Sequence, residues 1–434
     1  MAANVLIAGG GMGGLAAALA CAKRGHRVQL FERTAALAPV GAGIQLGPNV
    51  LRVLHGWGLA DAIKAVAAFP DDLQVRSALS GAILGCLRLG HTAVRRYGSP
   101  YATIHRADLQ ALLLEALQAH ASVQLTLNAS IATWTQSREG VTARLNHPSD
   151  GGSVSDVSGD LLVGADGLWS GVRQQLLNDD PPAATGHLAY RALVRQSDLP
   201  PVLRSNRITA WLGPKLHVVH YPVRCGEWLN VVGILQSEVQ SGVQAGVPAE
   251  AQGLAQGFGP GGLDNWDHST NAAALRTAMT GMCKPLQDLI HAIDLWRLWP
   301  LCIRSPMRGA QEQAQGRVAL LGDAAHPMLP YLAQGAGMAI EDAAVLADCL
   351  GPALKAAGGA GGADVPAQLQ RYGRLRWQRN ARVQARAIRN GQIFHATGLV
   401  AAGRDLSLKL MGERLLDVPW LYGHNMPVVA PKIS

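Results

Sequence analysis

The stretch VLIAGGGMGGLAAALACA, residues 5–22, contains no side chain that is charged at neutral pH. Its length is close to the ~20 apolar residues that a membrane-spanning helix needs. Five glycines lie in the middle of the run, and their backbone freedom weakens an isolated helix. No Lys or Arg precedes the run, as the start of a secretory signal would require. The stretch therefore favours a nucleotide-binding turn over a membrane anchor, and we expect no membrane span.

The same stretch divides into the parts of a dinucleotide-binding unit. Residues 5–8 form an apolar run typical of a buried parallel strand, Gly9-x-Gly11-x-x-Gly14 follows at once, and residues 15–24 continue as an Ala- and Leu-rich helix. In such a turn the first glycine makes the bend and the second lets the backbone approach a pyrophosphate. The third lets the helix pack closely on the strand. The unpaired N–H groups at the helix start then face the phosphates.

A second strand with an acidic end follows the helix. Residues 28–31 are predicted to be a strand, and Glu32 comes directly after them. A carboxylate about 20 residues after the glycines is placed to accept hydrogen bonds from a ribose. Together these features predict dinucleotide binding without saying which dinucleotide is bound.

The whole chain is long enough for more than one folding unit. Its 434 residues, 48% hydrophobic, predict two domains or one domain with a large insertion. The six cysteines include no C-x-x-C pair, so neither a disulfide framework nor a zinc site is indicated, and we expect no metal. No targeting signal is recognised, so the expected location is the cytoplasm. The net charge of +8 suits an anionic small molecule, a reduced pyridine nucleotide or nucleic acid.

Many arginines fall in one predicted helix, residues 365–393. They are Arg371, Arg374, Arg376, Arg379, Arg382, Arg386 and Arg389. Helical spacing spreads them around the rod, whereas a helix that binds nucleic acid usually presents a stripe or belongs to a recognised fold. We therefore expect a solvated or domain-bridging helix and no nucleic-acid partner.

Two glycine-rich tracts have no hydrophobic periodicity. Residues 238–262 are rich in Gly, Ala, Gln and Pro and predict a long surface loop. The tract AAGGAGGADVP, which begins at residue 356, follows a helix and has no strand before it. It therefore fails the context test for a second dinucleotide fingerprint.

Two later stretches narrow the choice of cofactor. DLLVGADGLWSGVRQQL, from residue 160, is a predicted strand that leads into Asp166-Gly167 and a helix. In the second stretch, a predicted strand at residues 318–321 leads into Gly322-Asp323, and a later Gly335-x-Gly337 turn opens a helix at Met338. An Asp at the end of a buried strand is placed to hold a sugar or ribityl hydroxyl, and a second helix start stabilises another negative group.

The ordered motifs resemble those of the single-component FAD-dependent aromatic hydroxylases, the group A flavoprotein monooxygenases. The resemblance runs from the first strand to about Asp342. It implies an α/β fold with α+β elements, in which a Rossmann-like FAD-binding domain carries an inserted mixed β-sheet substrate domain and a C-terminal helical region. The implied ranges are 1–75, 100–180 and 300–350 for the FAD-binding domain, 76–99 and 181–299 for the substrate domain, and 351–434 for the helical region. The motifs that carry the resemblance are Gly9-x-Gly11-x-x-Gly14 with Glu32, Asp166-Gly167, and Gly322-Asp323-Ala324-Ala325-His326-Pro327.

The resemblance implies FAD as the cofactor and NADH or NADPH as the co-substrate. Glu32 would bind the adenosine ribose, Asp323 the ribityl chain and Asp166 both FAD and the reduced nucleotide, while Pro327 would pack on the flavin ring. Two plainer interpretations stay open, with Arg106 paired to a surface acid and Asp166 acting as a helix cap. The backbone N–H groups at residues 335–338 suit negative charge on the reduced flavin. The expected cofactor-binding residues are Gly9, Gly11, Met12, Gly14, Glu32, Arg33, Arg106, Asp166, Asp323, Pro327, Gly335, Ala336, Gly337 and Met338.

Hydroxylation of a phenol needs a flavin that captures O2 as a C4a-hydroperoxide, and a base that takes the phenolic proton. In LHVVHYPVR, from residue 216, strand alternation puts His217 and Tyr221 on one face and His220 on the other. His217 is expected to titrate near the working pH, so His217 and Tyr221 are candidates to take and relay this proton. The alternative is that both are hydrogen-bonded sheet residues. The resemblance adds Gln334 on the substrate side, and His326 is expected only to orient its loop.

Three segments, GSPYATIHRADL, HVVHYP and LPYLAQGAGMAIEDA, look most like those of 3-hydroxybenzoate 6-hydroxylases, and the last two also resemble 6-hydroxynicotinate 3-monooxygenases. The reaction implied first is 3-hydroxybenzoate to 2,5-dihydroxybenzoate (gentisate). Salicylate 1-hydroxylation and 6-hydroxynicotinate 3-hydroxylation stay open, because a small shift of the ring changes the carbon attacked. The expected partners are a small anionic phenolic or hydroxypyridine substrate and O2. The oligomeric state is open between a monomer and a homodimer.

Overall fold

The computed structural model describes residues 2–37, 41–148, 152–236, 269–270, 272–353 and 364–424. The predicted loop at residues 238–262 lies outside them, as do residues 356–363 of the second glycine-rich tract. Within the described ranges, no helix is long and apolar enough to cross a membrane.

The secondary structure alternates between strands and helices in the first half of the chain and is mostly helical after the last strand. The strands, in chain order, are β1 (Asn4–Ala8), β2 (Arg27–Phe31), β3 (Gly43–Leu46), β4 (Asp72–Ser77), β5 (Ile83–Arg88), β6 (Ala102–His105), β7 (Val123–Thr126), β8 (Ser130–Gln136), β9 (Val141–His147), β10 (Ser153–Gly159), β11 (Leu161–Gly164), β12 (Ala183–Arg195), β13 (Ile208–Gly213), β14 (Leu216–Val223), β15 (Trp228–Gln236), β16 (Ser269–Thr270), β17 (Trp296–Ile303), β18 (Ala314–Gln315) and β19 (Val318–Leu320). The α-helices are α1 (Met12–Lys23), α2 (Pro48–Gly56), α3 (Ala60–Val66), α4 (Gly90–Tyr97), α5 (Arg106–Gln118), α6 (Gly171–Leu177), α7 (Ala273–Ala278), α8 (Lys284–His291), α9 (Gly335–Leu350), α10 (Val365–Phe394), α11 (Gly398–Leu416) and α12 (Pro419–Tyr422).

Strand β1 lies in the middle of a six-stranded sheet with the order β18-β19-β11-β1-β2-β7. All neighbouring pairs except β18 with β19 are parallel. The apolar runs of β1, β11 and β19 are buried, as expected for strands covered on both faces. Because β2 and β11 flank β1 on opposite sides, a crevice opens at its carboxyl end. The predicted α/β class with a Rossmann-like unit is confirmed.

A second, eight-stranded sheet has the order β16-β17-β12-β15-β14-β13-β4-β5 and is antiparallel except where β13 meets β4. One face packs on α7 and α8 through an apolar cluster that includes Leu275 and Leu289. The other face meets Tyr331 and Phe394. The implied boundaries at 75/76 and 299/300 fall inside β4 and β17, and the division into domains stays a prediction.

Two helices that carry glycines begin three residues before their predicted starts. Helix α1 begins at Met12 instead of residue 15, and a Cβ on Gly13 in its first turn would lie 2.6 Å from Leu321 Cδ1. Helix α9 begins at Gly335 instead of Met338. Met338 donates a hydrogen bond to the Gln334 carbonyl at 2.8 Å, which makes residues 335–337 the first turn of the helix. The predicted turn glycine Gly14 therefore belongs to α1, and Gly335 and Gly337 belong to α9.

Helix α10 agrees closely with its predicted range, but its arginines are not all solvated. Arg376 is 1% exposed and donates to Asp342 Oδ1 at 2.7 Å and to Glu341 Oε2 at 3.0 Å. Arg379 reaches the same Glu341 Oε2 at 2.7 Å. Burial by itself would raise the pKa of Glu341, but hydrogen bonds from Arg379 and the charge of Arg376 lower it to about 2. These ion pairs attach α10 to α9, so the expectation of a solvated helix does not hold for Arg376, and a domain-bridging role stays a prediction.

The variant Arg376→Met is expected to lower the free energy of unfolding by about 3–5 kcal/mol, because the buried Asp342 loses its arginine and Glu341 keeps only Arg379. Arg374→Met is the matched control, since Arg374 lies on the exposed side of the same helix and bonds Gln370. Arg374→Met should change the free energy of unfolding by no more than about 0.5 kcal/mol. Urea unfolding followed by tryptophan fluorescence measures both. Equal unfolding midpoints for the two variants would contradict a structural role for Arg376.

Candidate functional site

The glycine turn between β1 and α1 combines two packed positions with one open position. Gly9 has φ +98°, and a Cβ there would lie 2.5 Å from the Ala165 carbonyl oxygen. A Cβ on Gly14 would collide with the carbonyl oxygen of Gly9. At Gly11 an added Cβ would meet nothing within 4 Å. The turn therefore has room at Gly11 for a group approaching its backbone, which is what a pyrophosphate requires.

Glu32 is held beside this turn at the end of β2. Its Oε2 atom accepts a hydrogen bond from the Gly10 N–H at 2.6 Å, and Oε1 accepts from the backbone and hydroxyl of Thr34 at 3.0 Å each. The carboxylate is therefore fixed next to the glycines, as the spacing predicts. Of its predicted neighbours in the site, Met12 is buried and Arg33 is exposed.

Asp166 caps the helix that follows it. One carboxylate oxygen accepts from the Ser170 hydroxyl at 2.5 Å, and the other accepts from the Val172 N–H at 3.2 Å, at the start of α6. Burial raises the pKa of Asp166, and these hydrogen bonds oppose the rise. The capping interpretation is thus realised in the structure. The Asp166 Cα also lies 2.9 Å from the position of a Cβ on Gly9, so the residue borders the glycine turn as well.

Asp323 and Arg106 come together near the start of α9. Asp323 is exposed, yet the surrounding protein desolvates its carboxylate and raises its pKa, while the charges of His326 and Arg106 oppose the rise. Because the Asp323 carboxylate reaches solvent although protein atoms surround it, it lies in a recess. A Cβ on Gly335 would be 4.0 Å from Asp323 Oδ1, which places the first turn of α9 at the same recess.

The remaining predicted cofactor residues lie along this loop and helix. Pro327 is buried, and its carbonyl accepts a hydrogen bond from Gln384 at 3.2 Å. Ala336 is partly exposed, whereas Gly337 and Met338 are buried. His326 bonds Asp342 Oδ2 at 2.5 Å and so ties the loop to the buried ion pairs, in agreement with an orienting role.

These features fit FAD, which is long and carries negative charge at its centre. The open backbone at Gly11 suits the pyrophosphate, the fixed carboxylate of Glu32 suits the adenosine ribose, and the recessed carboxylate of Asp323 suits a ribityl hydroxyl. The N–H groups at the start of α9 supply positive potential at the same recess.

The face of the second sheet that meets Tyr331 carries several polar side chains in register. Residues opposite each other in neighbouring antiparallel strands lie on the same face. Ala189 pairs with Ile234, which pairs with His217, and Leu193 pairs with Asn230, which pairs with Tyr221. His217 and Tyr221 therefore share one face, as the alternation predicts. On the opposite face, the His220 ring stacks on Trp211 with centroids 6.4 Å apart.

His217 is one of three histidines that meet on this face. Its Nδ1 atom lies 2.7 Å from Nε2 of His395, at the end of α10, and the ring of His187 is 5.0 Å from that of His395. His187 in turn bonds the Tyr331 hydroxyl. Although three imidazoles meet here, the described residues contain no group of three or more His, Cys, Asp or Glu placed to hold a metal ion. In the hydrogen bond between His217 and His395, one ring donates its N–H and the other accepts.

The protonation of His217 differs from the expectation. Burial, helped by the neighbouring His395 and His187, lowers the pKa of His217 well below 6.5. Burial likewise lowers the pKa of His395 to about 3. His217 is consequently a neutral imidazole throughout the neutral range and does not titrate there. His395 was not identified from the sequence, since nothing in the local pattern HATG distinguishes it from an ordinary residue after a helix.

Tyr221 and Asn230 clamp the peptide of Gly43 in β3. The Tyr221 hydroxyl donates to the Gly43 carbonyl at 2.6 Å, and Asn230 Oδ1 accepts from the Gly43 N–H at 2.7 Å. A Cβ on Gly43 would lie 2.7 Å from the Tyr221 ring, so the contact requires glycine. Burial raises the pKa of Tyr221, which keeps its proton on the hydroxyl. The hydroxyl oxygen can still accept one hydrogen bond.

Gln334 lies at the other side of the start of α9, where it contacts α2. It is buried, and its Oε1 accepts from Asn49 Nδ2 at 3.2 Å. Its Nε2 atom has no hydrogen-bond partner among the described residues. A buried unsatisfied donor of this kind suits an incoming oxygen of a ligand. Gln334 forms no hydrogen bond with His217. The substrate-side role of Gln334 therefore stays a prediction.

Comparisons with known proteins agree with this geometry. A family model described as an FAD binding domain matches residues 2–210 and 299–387. The chain is 36% identical over 426 residues to 3-hydroxybenzoate 6-hydroxylase 1 of Aquipseudomonas alcaligenes, with 97% of each chain covered. It is 32% identical over 350 residues to 6-hydroxynicotinate 3-monooxygenase of Pseudomonas fluorescens, with 80% of this chain and 82% of that protein covered. A solved salicylate hydroxylase substrate complex superimposes with a TM-score of 0.77 at 27% identity, covering 100% of this chain and 99% of that one.

Two glycine variants should separate cofactor binding from folding. Gly11→Ala is expected to leave the thermal unfolding midpoint of the apoprotein unchanged and to weaken FAD binding by about tenfold or more, since the new methyl group occupies the space at the turn. Gly14→Ala is expected to destabilise the apoprotein itself, because its Cβ collides with Gly9. Thermal unfolding of apoprotein and fluorescence titration with FAD measure the two effects. Unchanged FAD affinity in Gly11→Ala would place the pyrophosphate elsewhere.

Proposed function

Since the chain belongs to the FAD-binding-domain family and is an FAD-dependent monooxygenase that hydroxylates aromatic rings, we propose that it converts 3-hydroxybenzoate to 2,5-dihydroxybenzoate. The observation that carries the proposal is the buried, neutral His217, which shares a sheet face with Tyr221, and Tyr221 packs in one apolar cluster with Met338 of α9. The 36% identity to a 3-hydroxybenzoate 6-hydroxylase over 97% of both chains supports the choice of substrate.

The balanced reaction consumes one O2, one NADH or NADPH and one proton, and it yields the oxidised nucleotide, with one oxygen atom entering the ring and the other leaving as water. FAD, when bound, carries the electrons from the nicotinamide to O2 and delivers one oxygen atom to the ring. In this proposal the turn of Gly9, Gly11 and Gly14 holds the pyrophosphate, and Glu32 holds the adenosine ribose. The recess of Asp323 and Arg106 holds the ribityl side, where the first turn of α9 stabilises negative charge.

His217 is the proposed base. Its neutral ring has a lone pair to accept the phenolic proton, and loss of that proton makes the substrate ring electron-rich. The His217 ring is only 3% exposed, so bulk water does not compete for the proton. The hydrogen bond to His395 lets the second imidazole share the charge that His217 acquires.

Tyr221 is proposed to orient the substrate hydroxyl by accepting a hydrogen bond while it donates to Gly43.

The six cysteines of the chain are free thiols, a state typical of a reducing compartment, and this supports a cytoplasmic location.

Oxygen consumption by the FAD-loaded protein tests the proposal. The protein is supplied with NADH or NADPH and, in turn, with 3-hydroxybenzoate, salicylate and 6-hydroxynicotinate, and products are separated by chromatography. We expect 3-hydroxybenzoate to accelerate nucleotide oxidation and to yield 2,5-dihydroxybenzoate. A hydroxylated product from one of the other two acids alone would transfer the proposal to that acid, and none from any of the three would overturn it.

The role of His217 is tested with His217→Gln. Hydroxylation is expected to slow by about 10²-fold at neutral pH, because the base is missing. The loss should shrink as the pH approaches the phenol's own pKa of about 10, since solvent then removes the proton. His220→Gln is the matched control, on the same strand with its ring on the opposite face. A pH-independent loss in His217→Gln, or an equal loss in both variants, would assign proton removal to another group.

A further inference from the structure

We infer that Arg191, on β12, forms an anion subsite that takes the carboxylate of the aromatic substrate. The inference rests on the proposed function and adds to it a residue that positions the ring and selects acidic substrates. No motif in the sequence points to Arg191, which lies in the ordinary strand segment YRALV.

The sheet register places Arg191 on the face that carries His217 and Tyr221. Arg191 pairs with Val232, which pairs with Val219, the residue between His217 and Tyr221 on that face. The guanidinium lies over the Trp299 ring, 5.1 Å from its centroid. Since Trp299 pairs with Ala189 in the neighbouring strand, this stacking keeps the arginine on the same face of the sheet.

Among the residues that the structure describes, Arg191 has no counter-ion. Its Nε atom is buried without a hydrogen-bond partner, and no carboxylate among the described residues forms an ion pair with it. The groups near it are the neutral hydroxyl of Tyr221 and a second cation, Arg106. Burial lowers the pKa of Arg191, yet an arginine keeps its charge in proteins. A half-buried guanidinium whose Nε atom is buried without a partner is costly, and an anionic ligand would remove that cost.

The distance from Arg191 to His217 suits a substrate with a carboxylate and a hydroxyl on one ring. The two residues are two strands apart and offset by two residues along the strand, so their Cα atoms are about 12 Å apart. This separation of the Cα atoms is compatible with one six-membered ring between the two side chains. A carboxylate on Arg191 would direct the phenolic hydroxyl toward His217.

Arg195 shows that stacking on tryptophan is not sufficient for such a site. It lies four residues further along β12, over the Trp228 ring at the same 5.1 Å. Arg195 is exposed to solvent, however, so water satisfies its charge. It is therefore a matched control with the same side chain, strand and aromatic contact but without burial.

The test compares ligands with and without the charge. Dissociation constants of 3-hydroxybenzoate and of its neutral analogue 3-hydroxybenzamide are measured from the flavin absorbance of the FAD-loaded protein. Wild type, Arg191→Gln, Arg191→Lys and Arg195→Gln are compared. Arg191→Gln is expected to weaken the acid by about 10²-fold and the amide by no more than about threefold. The affinity of Arg191→Lys for the acid should lie between those of wild type and Arg191→Gln, because lysine keeps the charge but cannot make the bidentate contact. Arg195→Gln should bind the acid as tightly as wild type.

The other outcomes distinguish failure of the Arg191 subsite from failure of the proposed function. Equal weakening of acid and amide, or a loss of bound FAD in Arg191→Gln, would make Arg191 a cofactor or structural residue. Unchanged affinities would remove the subsite. If wild type binds no 3-hydroxybenzoate, the proposed function fails, and the same comparison with salicylate and salicylamide decides the role of Arg191.

Discussion

The buried ion pairs between α9 and α10 support the rest of the site. Glu341 and Asp342 leave α9 side by side and are neutralised by Arg376 and Arg379 from α10. His326 joins the network through Asp342, which fixes the loop that contains the recessed carboxylate. Because these buried charges neutralise one another through several contacts, the network allows little displacement of either helix. The first turn of α9 is thereby held where the two sheets meet.

This constraint brings two surfaces of different chemistry together. On one side, the carboxyl end of the parallel sheet presents a glycine turn, Glu32 and Asp323, which suit a long anionic cofactor. On the other side, the antiparallel sheet presents neutral histidines and Arg191, whose Nε atom has no partner among the described residues, and this chemistry supports the proposed phenolic acid. Oxidation at a flavin and deprotonation of a phenol need these two environments close together, and neither sheet provides both.

Burial gives the same residue types different roles at different depths. His217 is kept neutral by desolvation and by two neighbouring imidazoles, so one ring nitrogen keeps its lone pair at neutral pH. Arg376 is equally buried but is matched by two carboxylates and serves the fold. Arg191 has no such match among the described residues and lies on the face of His217, which is why we assign it a binding role. The presence or absence of a partner distinguishes structural charges from functional ones in this protein.

Local pattern in the sequence predicted the strand–turn–helix of residues 5–24, the place of Glu32, the shared face of His217 and Tyr221, and nearly the whole of α10. Each of these depends on side-chain periodicity or on the space around a glycine, both of which are properties of neighbouring residues. The resemblance carried by the ordered motifs supplied FAD and the aromatic-hydroxylase class, and the comparisons confirm both. Tertiary structure alone decided the pairing of His217 with His395, which is 178 residues away, the burial of Arg376 and the lack of a counter-ion at Arg191. These depend on sheet register and on desolvation by distant segments, and no local pattern of residues encodes how deeply a charge will be buried or what will lie beside it.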